Sequence, residues 1–250
     1  MTQIATTLPD VLVGPLLRRL SPSRLILWLV ATRPLTMQLV LNPEQEEQQT
    51  HALDNAHQCV AIGRHAYIHC IDLSLPTALP TDTRIAYDLQ VQSTDGAWQP
   101  LPEWAPWLCH DDYDYPGFVL ASRHHRLMHG SCRKPHHDSA DGLVRADNWI
   151  AERQESPAEW PAWLLMTGDQ VYVDDVAGPM LRAVHALIAR LGLVDELLEG
   201  ATVDDSQALY NAPESYYHRE ALLPDVTSNA ALRERFFGGV KKPVFTSANA

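Results

Sequence analysis

The chain has 250 residues, 46% of them hydrophobic, with 19 Lys and Arg against 31 Asp and Glu for a formal net charge of −12. That length holds one large or two modest domains, and the apolar content suffices to bury a core in each. The acidic balance, without a Lys/Arg cluster, argues against nucleic acid or anionic membrane as a surface partner, because phosphates need positive compensation; no run approaches the ~20 apolar residues of a membrane span.

The start, Met1-Thr2-Gln3-Ile4-Ala5, has neither a charged leader nor a long apolar stretch and does not read as an ordinary secretory signal. Arg18-Arg19 followed by Leu25 to Ala31 has the outline of a twin-arginine signal, yet the apolar run is only seven residues long and follows Arg24. A cytoplasmic location is expected, with export by a twin-arginine route as the alternative.

Short apolar or alternating runs predict strands over Val11 to Arg18, Arg24 to Ala31, Thr36 to Leu41, Gln58 to Ile62, Ala66 to Leu73, Arg84 to Val91 and Gly117 to Ala121, with Pro, Asn and Asp between them. About seven strands in about 120 residues predict an antiparallel β-sandwich of immunoglobulin-like or fibronectin-like architecture, placed at residues 1–122. The four cysteines, Cys59, Cys70, Cys109 and Cys132, form no CxxC pair. Cys59 and Cys70 lie on predicted neighbouring strands, within reach of each other. Residues 100–116 break both periodicities, and the run His110-Asp111-Asp112-Tyr113-Asp114-Tyr115 reads as a solvated acidic connection, its spacing not being that of an EF-hand.

From residue 123 to 250 the pattern changes to α/β. Arg126-Leu127-Met128 and Trp163-Leu164-Leu165-Met166 read as short buried strands, and Leu143, Ala146, Trp149 and Ile150 between them recur at helical spacing. Strand, crossover helix and strand predict a parallel pair. The first strand leads into His129-Gly130-Ser131-Cys132-Arg133, the second into Thr167-Gly168-Asp169-Gln170-Val171-Tyr172. Cys132 and Asp169 thus fall at strand carboxyl ends, where open sheets collect ligand sites. A thiolate, a carboxylate and a phenolate together suit a hard trivalent or borderline metal. Each residue also has a plainer reading: Cys132 as a small buried hydrophobe, Asp169 as a carboxylate at a helix N-terminus, Tyr172 as a packing residue. Arg133 reads equally as a bidentate phosphate ligand and as a solvated surface residue. His136 and His137 are substrate-contact candidates, and Asp174 and Asp175 add carboxylates. Gly178-Pro179 then opens a helix carrying Met180, Leu181, Val184, Leu187, Ile188 and Leu191 on one stripe, which Gly192 ends.

The stretch from about Leu127 to Met180 resembles the start of the catalytic domain of the PhoD-like alkaline phosphatase/phosphodiesterase family, within the calcineurin-like metallophosphoesterases. The resemblance rests on Ser131-Cys132 and on Gly168-Asp169-Gln170-Val171-Tyr172. It implies that Cys132 and Tyr172 bind a ferric ion, Fe3+, and that Asp169 bridges it to a second metal, Ca2+; with a phosphate-ester substrate, Asp169 and Arg133 are the candidate catalytic residues. It also implies a β-sandwich before the catalytic domain. The expected fold is therefore α+β, a sandwich followed by the first part of a metallophosphoesterase domain.

The superfamily's later ligands, an Asn-His motif and a Gly-His-x-His motif, have no counterpart before Ala250; Asn249 is the one late candidate. The 250 residues are accordingly expected to be the N-terminal part of a longer enzyme, with little turnover of their own. The alternative is a non-catalytic binding or interaction protein in which a degenerate metallophosphatase fold serves as scaffold.

Overall fold

A computed structural model describes residues 8–44, 46–134, 138, 140–170, 172, 176, 178–198 and 203–217. The chain splits into two compact units, divided between Gly168 and Asp169. It is mixed α/β and dominated by antiparallel strands.

In the first unit, nine strands come from the amino-terminal half: β1 (Val11–Ser21), β2 (Arg24–Ala31), β3 (Met37–Pro43), β4 (Gln49–Ala52), β5 (His57–Gly63), β6 (Ala66–Ser74), β7 (Arg84–Gln92), β8 (Trp98–Gln99) and β9 (Gly117–Val119). One sheet has the order β1-β2-β6-β5; the other runs β4-β3-β7-β8, with β9 also on β7. All their pairings are antiparallel. The period of two in β2 sends Leu25, Leu27, Leu29 and Ala31 to one side, where they join Met37, Leu39 and Leu41 of β3, Ile71 and Leu73 of β6 and Ile85, Leu89 and Val91 of β7 in one buried cluster.

Every strand read from the sequence is present in this half. Two were not read: β4, whose Gln-Thr-His-Ala carries no apolar alternation and forms by pairing along β3, and the two-residue β8. Residues 100–116 are also more than a connection. A short helix α1 (Leu101–Trp104) and a 3₁₀ turn (Pro106–Leu108) follow β8, and Leu101 and Ala105 enter the same core as the strands. The segment is tied down by the Asp88 carboxylate, which accepts the Leu101 N–H at 2.7 Å, and by the Trp104 indole N–H, which donates to the Leu89 carbonyl at 3.2 Å. The Arg84 guanidinium is buried beside it, donating to the Tyr115 carbonyl at 2.7 Å and lying 4.2 Å from the Tyr113 ring centre. A Cβ on Gly117 would come within 2.8 Å of the Arg84 guanidinium, so a side chain there would have to displace the arginine.

The unit ends with β10 (Leu127–Gly130), helix α2 (Gly142–Ala151) and β11 (Trp163–Met166). β10 and β11 pair in parallel, Leu127 opposite Trp163 through Gly130 opposite Met166, as the crossover reading expects. Their environment differs from that expectation. Leu127 is 58% exposed and Trp163 57%, so the pair is not a buried one. The apolar residues that suggested burial sit in a sheet of only two described strands, whereas parallel sheets ordinarily have both faces covered.

The second unit contains α3 (Gly178–Leu191), α4 (Ser206–Asn211) and α5 (Glu214–Tyr217). Gly192 ends α3 in the left-handed region, φ 61°, with Leu193 N–H on Ile188 O and Gly192 N–H on Ala189 O, both at 3.2 Å. This double closure is the Schellman cap that a glycine after an apolar stripe predicts. The His185 ring lies 4.3 Å from that of Tyr210 and its Nδ1 is 3.0 Å from the Tyr216 hydroxyl. Among the described residues, no helix is long and apolar enough to cross a membrane.

Truncating Leu39, fully buried in the shared cluster, to alanine is expected to lower the unfolding free energy by about 2–5 kcal/mol. Urea denaturation of Leu39→Ala checks this; a loss within the scatter of surface substitutions would mean that the two sheets do not share a close-packed core.

Candidate functional site

The predicted site residues lie on the loops that leave β10 and β11. Thr167 N–H donates to Gly130 O at 3.0 Å and Cys132 N–H to Gly168 O at 2.9 Å, so the first loop is laced to the second by backbone bonds beyond the last strand pair. His129 Nε2 and Thr167 Oγ1 lie 2.9 Å apart across the same gap. Cys132 has φ 55°, Asp169 φ 52° and Gly168 φ 142°. Non-glycine residues seldom adopt the left-handed region; where they do, the surroundings must hold them there, a condition that clusters at functional sites. The same local conformation therefore recurs at both motif residues of the sequence reading.

Cys132 is exposed, and the Ser131 hydroxyl donates to its Sγ at 3.4 Å. Asp169 is exposed and Tyr172 partly buried. Arg133 reaches forward instead of standing free: its Nη2 donates at 2.8 Å to Asp141, whose other oxygen caps α2 by accepting the Leu143 N–H at 2.9 Å. The Arg133 Nε is buried and has no hydrogen-bond partner. One carboxylate thus ties the loop after Cys132 to the start of α2, and the Arg133 hydrogen bond, followed by the Leu143 N–H, holds the Asp141 carboxyl below its usual range. Asp174, Asp175, His136, His137 and Asn249 lie outside the described residues. Of the other histidines near the first motif, His124 Nδ1 accepts the Trp163 indole N–H at 2.8 Å, and His125 Nδ1 lies 2.9 Å from the Arg123 carbonyl.

Among the described residues, only one set of three His, Cys, Asp or Glu side chains lies close enough to share an ion, and it is elsewhere: His57, Cys59 and His69, on β5 and β6. The sequence places Cys59 and Cys70 on neighbouring strands, within reach of each other. Cys70 lies opposite Gln58, on the other face from Cys59, and all four cysteines are free thiols.

No known protein family matches the chain, and no curated protein matches it. Among solved structures, a purple acid phosphatase from yellow lupin (Lupinus luteus) seeds aligns at 8% identity with a TM-score of 0.33, covering 68% of this chain. The aligned part spans 36% of the phosphatase's own length. A likeness that slight settles neither fold nor chemistry.

Because the Asp141 carboxyl is depressed by its partners, its contribution to stability is complete above the ordinary aspartate range and is lost as the pH falls through its lowered folded value. Amide-exchange protection in α2 is expected to fall on acidification below about pH 4 in the natural chain, and to be lower and flat across that window in Asp141→Ala. Equal protection in the two proteins at neutral pH would remove Asp141 as the link between the Arg133 loop and the helix.

Proposed function

We propose that this chain carries the first motifs of a metal-dependent phosphoester hydrolase of the PhoD-like type, acting as a phosphomonoesterase or phosphodiesterase. The observation that supports it most is the pair of laced loops at the carboxyl ends of β10 and β11, with Cys132 and Asp169 both held in the left-handed region. The reading takes the two antiparallel sheets as a fibronectin-like or immunoglobulin-like sandwich and the part from residue 123 onward as the metallophosphoesterase domain.

In this reading Cys132, Asp169 and Tyr172 hold the metals, Fe3+ and Ca2+. The donors fit them: an exposed thiol that already accepts a hydroxyl hydrogen bond, and, on the loop after β11, a carboxylate and a phenol, a mixed soft and hard set suited to a trivalent ion with a harder neighbour. When bound, such a centre polarises a phosphoryl oxygen and activates water. The chain's own groups do the rest. Asp141 orients the Arg133 fork through Nη2, leaving Nη1 for a phosphoryl oxygen of the substrate. In a chain of net charge −12, that local cation and the metals supply the attraction that the surface does not. No nucleic acid or membrane is expected as a partner. The proposed location is the cytoplasm, because the residues after Arg18-Arg19 form β2 in the centre of a sheet.

Metal analysis and visible absorption of the purified chain test the reading. Iron with a phenolate charge-transfer band is expected, the band vanishing in Tyr172→Phe and the iron content falling in Cys132→Ser. Iron retained in both variants, with an unchanged spectrum, would contradict the assignment.

A further inference from the structure

The inner face of the first sheet carries a group of side chains that core packing does not account for. β5 and β6 are joined by the tight turn Arg64-His65, with Gly63 paired to Ala66. Carried straight along the strands, that register would set Cys59 opposite Cys70. A register shift between Ala61 and Gly63 moves the pairing by one residue, so that Cys59 lies opposite His69 and His57 opposite Ile71. Opposed residues share a face of the sheet, and alternate residues along a strand return to it. His57, Cys59 and His69 are thereby gathered on the face that Ile71 buries in the core, one ligand atom from each lying within 4.8 Å of the others.

The imidazoles are arranged as a pair with one open side. His57 Nε2 is 2.6 Å from His69 Nδ1, while the ring centres are 4.8 Å apart and the planes differ by 8°. An N···N distance shorter than any stacking contact means that the rings lie edge to edge in a common plane, with facing nitrogens. His69 is fully buried. Its Nε2 lies 3.2 Å from the Arg33 carbonyl, which can only accept, so Nε2 carries the proton and Nδ1 the lone pair. Cys59 Sγ is 3.8 Å from His69 Nε2 and is exposed at the sheet edge, where β5 is the last strand.

We propose that His57 Nε2, Cys59 Sγ and His69 Nδ1 form a binding site for one borderline divalent d-block ion of the zinc class, with solvent in the remaining position. Two imidazoles and a thiolate select such an ion over magnesium or calcium. The His69 N–H to a backbone carbonyl is the outer-shell bond that orients ligating histidines. Tetrahedral zinc with Zn–N of about 2.0–2.1 Å sets two nitrogens about 3.3 Å apart, so binding parts the imidazoles slightly, and half-buried His57 on the edge strand can yield. Burial, the main influence on both histidines, favours the neutral ring that ligates. Burial pushes the Cys59 thiol up, so binding releases its proton to solvent.

The test is a titration of the reduced full chain with cobalt(II), followed by competition with zinc(II), in a Cys132→Ser background that removes the thiol assigned to the proposed hydrolase centre. About one equivalent of cobalt is expected to give a thiolate-to-cobalt band in the near ultraviolet, displaced by zinc. Cys59→Ser, an exposed change that leaves the core intact, is expected to abolish the band; His57→Gln should weaken binding more than about tenfold, a size that outer-shell changes alone can reach. Absence of the band in the Cys132→Ser protein, or an unchanged band in Cys59→Ser, would overturn the proposal.

Discussion

Leucines from β2 and β3, with Ile71 and Leu73 of β6 and Ile85, Leu89 and Val91 of β7, close one apolar cluster between two antiparallel sheets, and that burial sets where the rest of the first unit can go. At roughly 25 cal/mol per Å² of apolar surface removed from water, the cluster is the main favourable term available to a unit whose described residues are mostly strand. Register is its corollary. A one-residue slip in β2 or β3 would turn every buried leucine to solvent, so these strands have one admissible pairing. Edge strand β5 is not held so firmly: Cys59, Val60 and Ala61 are exposed, and it tolerates the register shift that faces Cys59 with His69.

The β10–β11 pair is governed differently. Its residues are half exposed, so burial does not fix it; backbone bonds do, first through the parallel ladder and then through Thr167 to Gly130 and Cys132 to Gly168. Cys132 and Asp169, held at positive φ just beyond such a ladder, carry a conformational cost that their surroundings must offset, a condition that clusters at functional sites.

The sheets were legible because period-two apolar runs bounded by Pro, Asn and Asp leave little choice of structure, as at Arg24 to Ala31 and Ala66 to Leu73. The strand, helix, strand unit was legible because Leu143, Ala146, Trp149 and Ile150 recur on a helical period; the Asp141 cap is added by the structure. Exposure was not. Trp163-Leu164-Leu165-Met166 reads as buried in any sequence, since periodicity reports pattern and not what lies above and below a sheet. β4 has no pattern of its own and exists through its neighbour β3. The His57, Cys59 and His69 group was hidden by the shift between Ala61 and Gly63, because a tight turn at Arg64-His65 taken alone predicts the Cys59 and Cys70 pairing. The proposed ligand role of Cys132, Asp169 and Tyr172 rests on motif resemblance, and the structure adds to it the conformation of Cys132 and Asp169.

The proposed hydrolase centre requires that the loops after β10 and β11 hold a metal. Anomalous-difference maps from crystals of the chain equilibrated with iron, with data collected across the iron edge, address that directly. A peak within bonding distance of Cys132 Sγ and the Asp169 carboxylate is the predicted result; iron bound only at surface histidines, or no peak at Cys132, would contradict it.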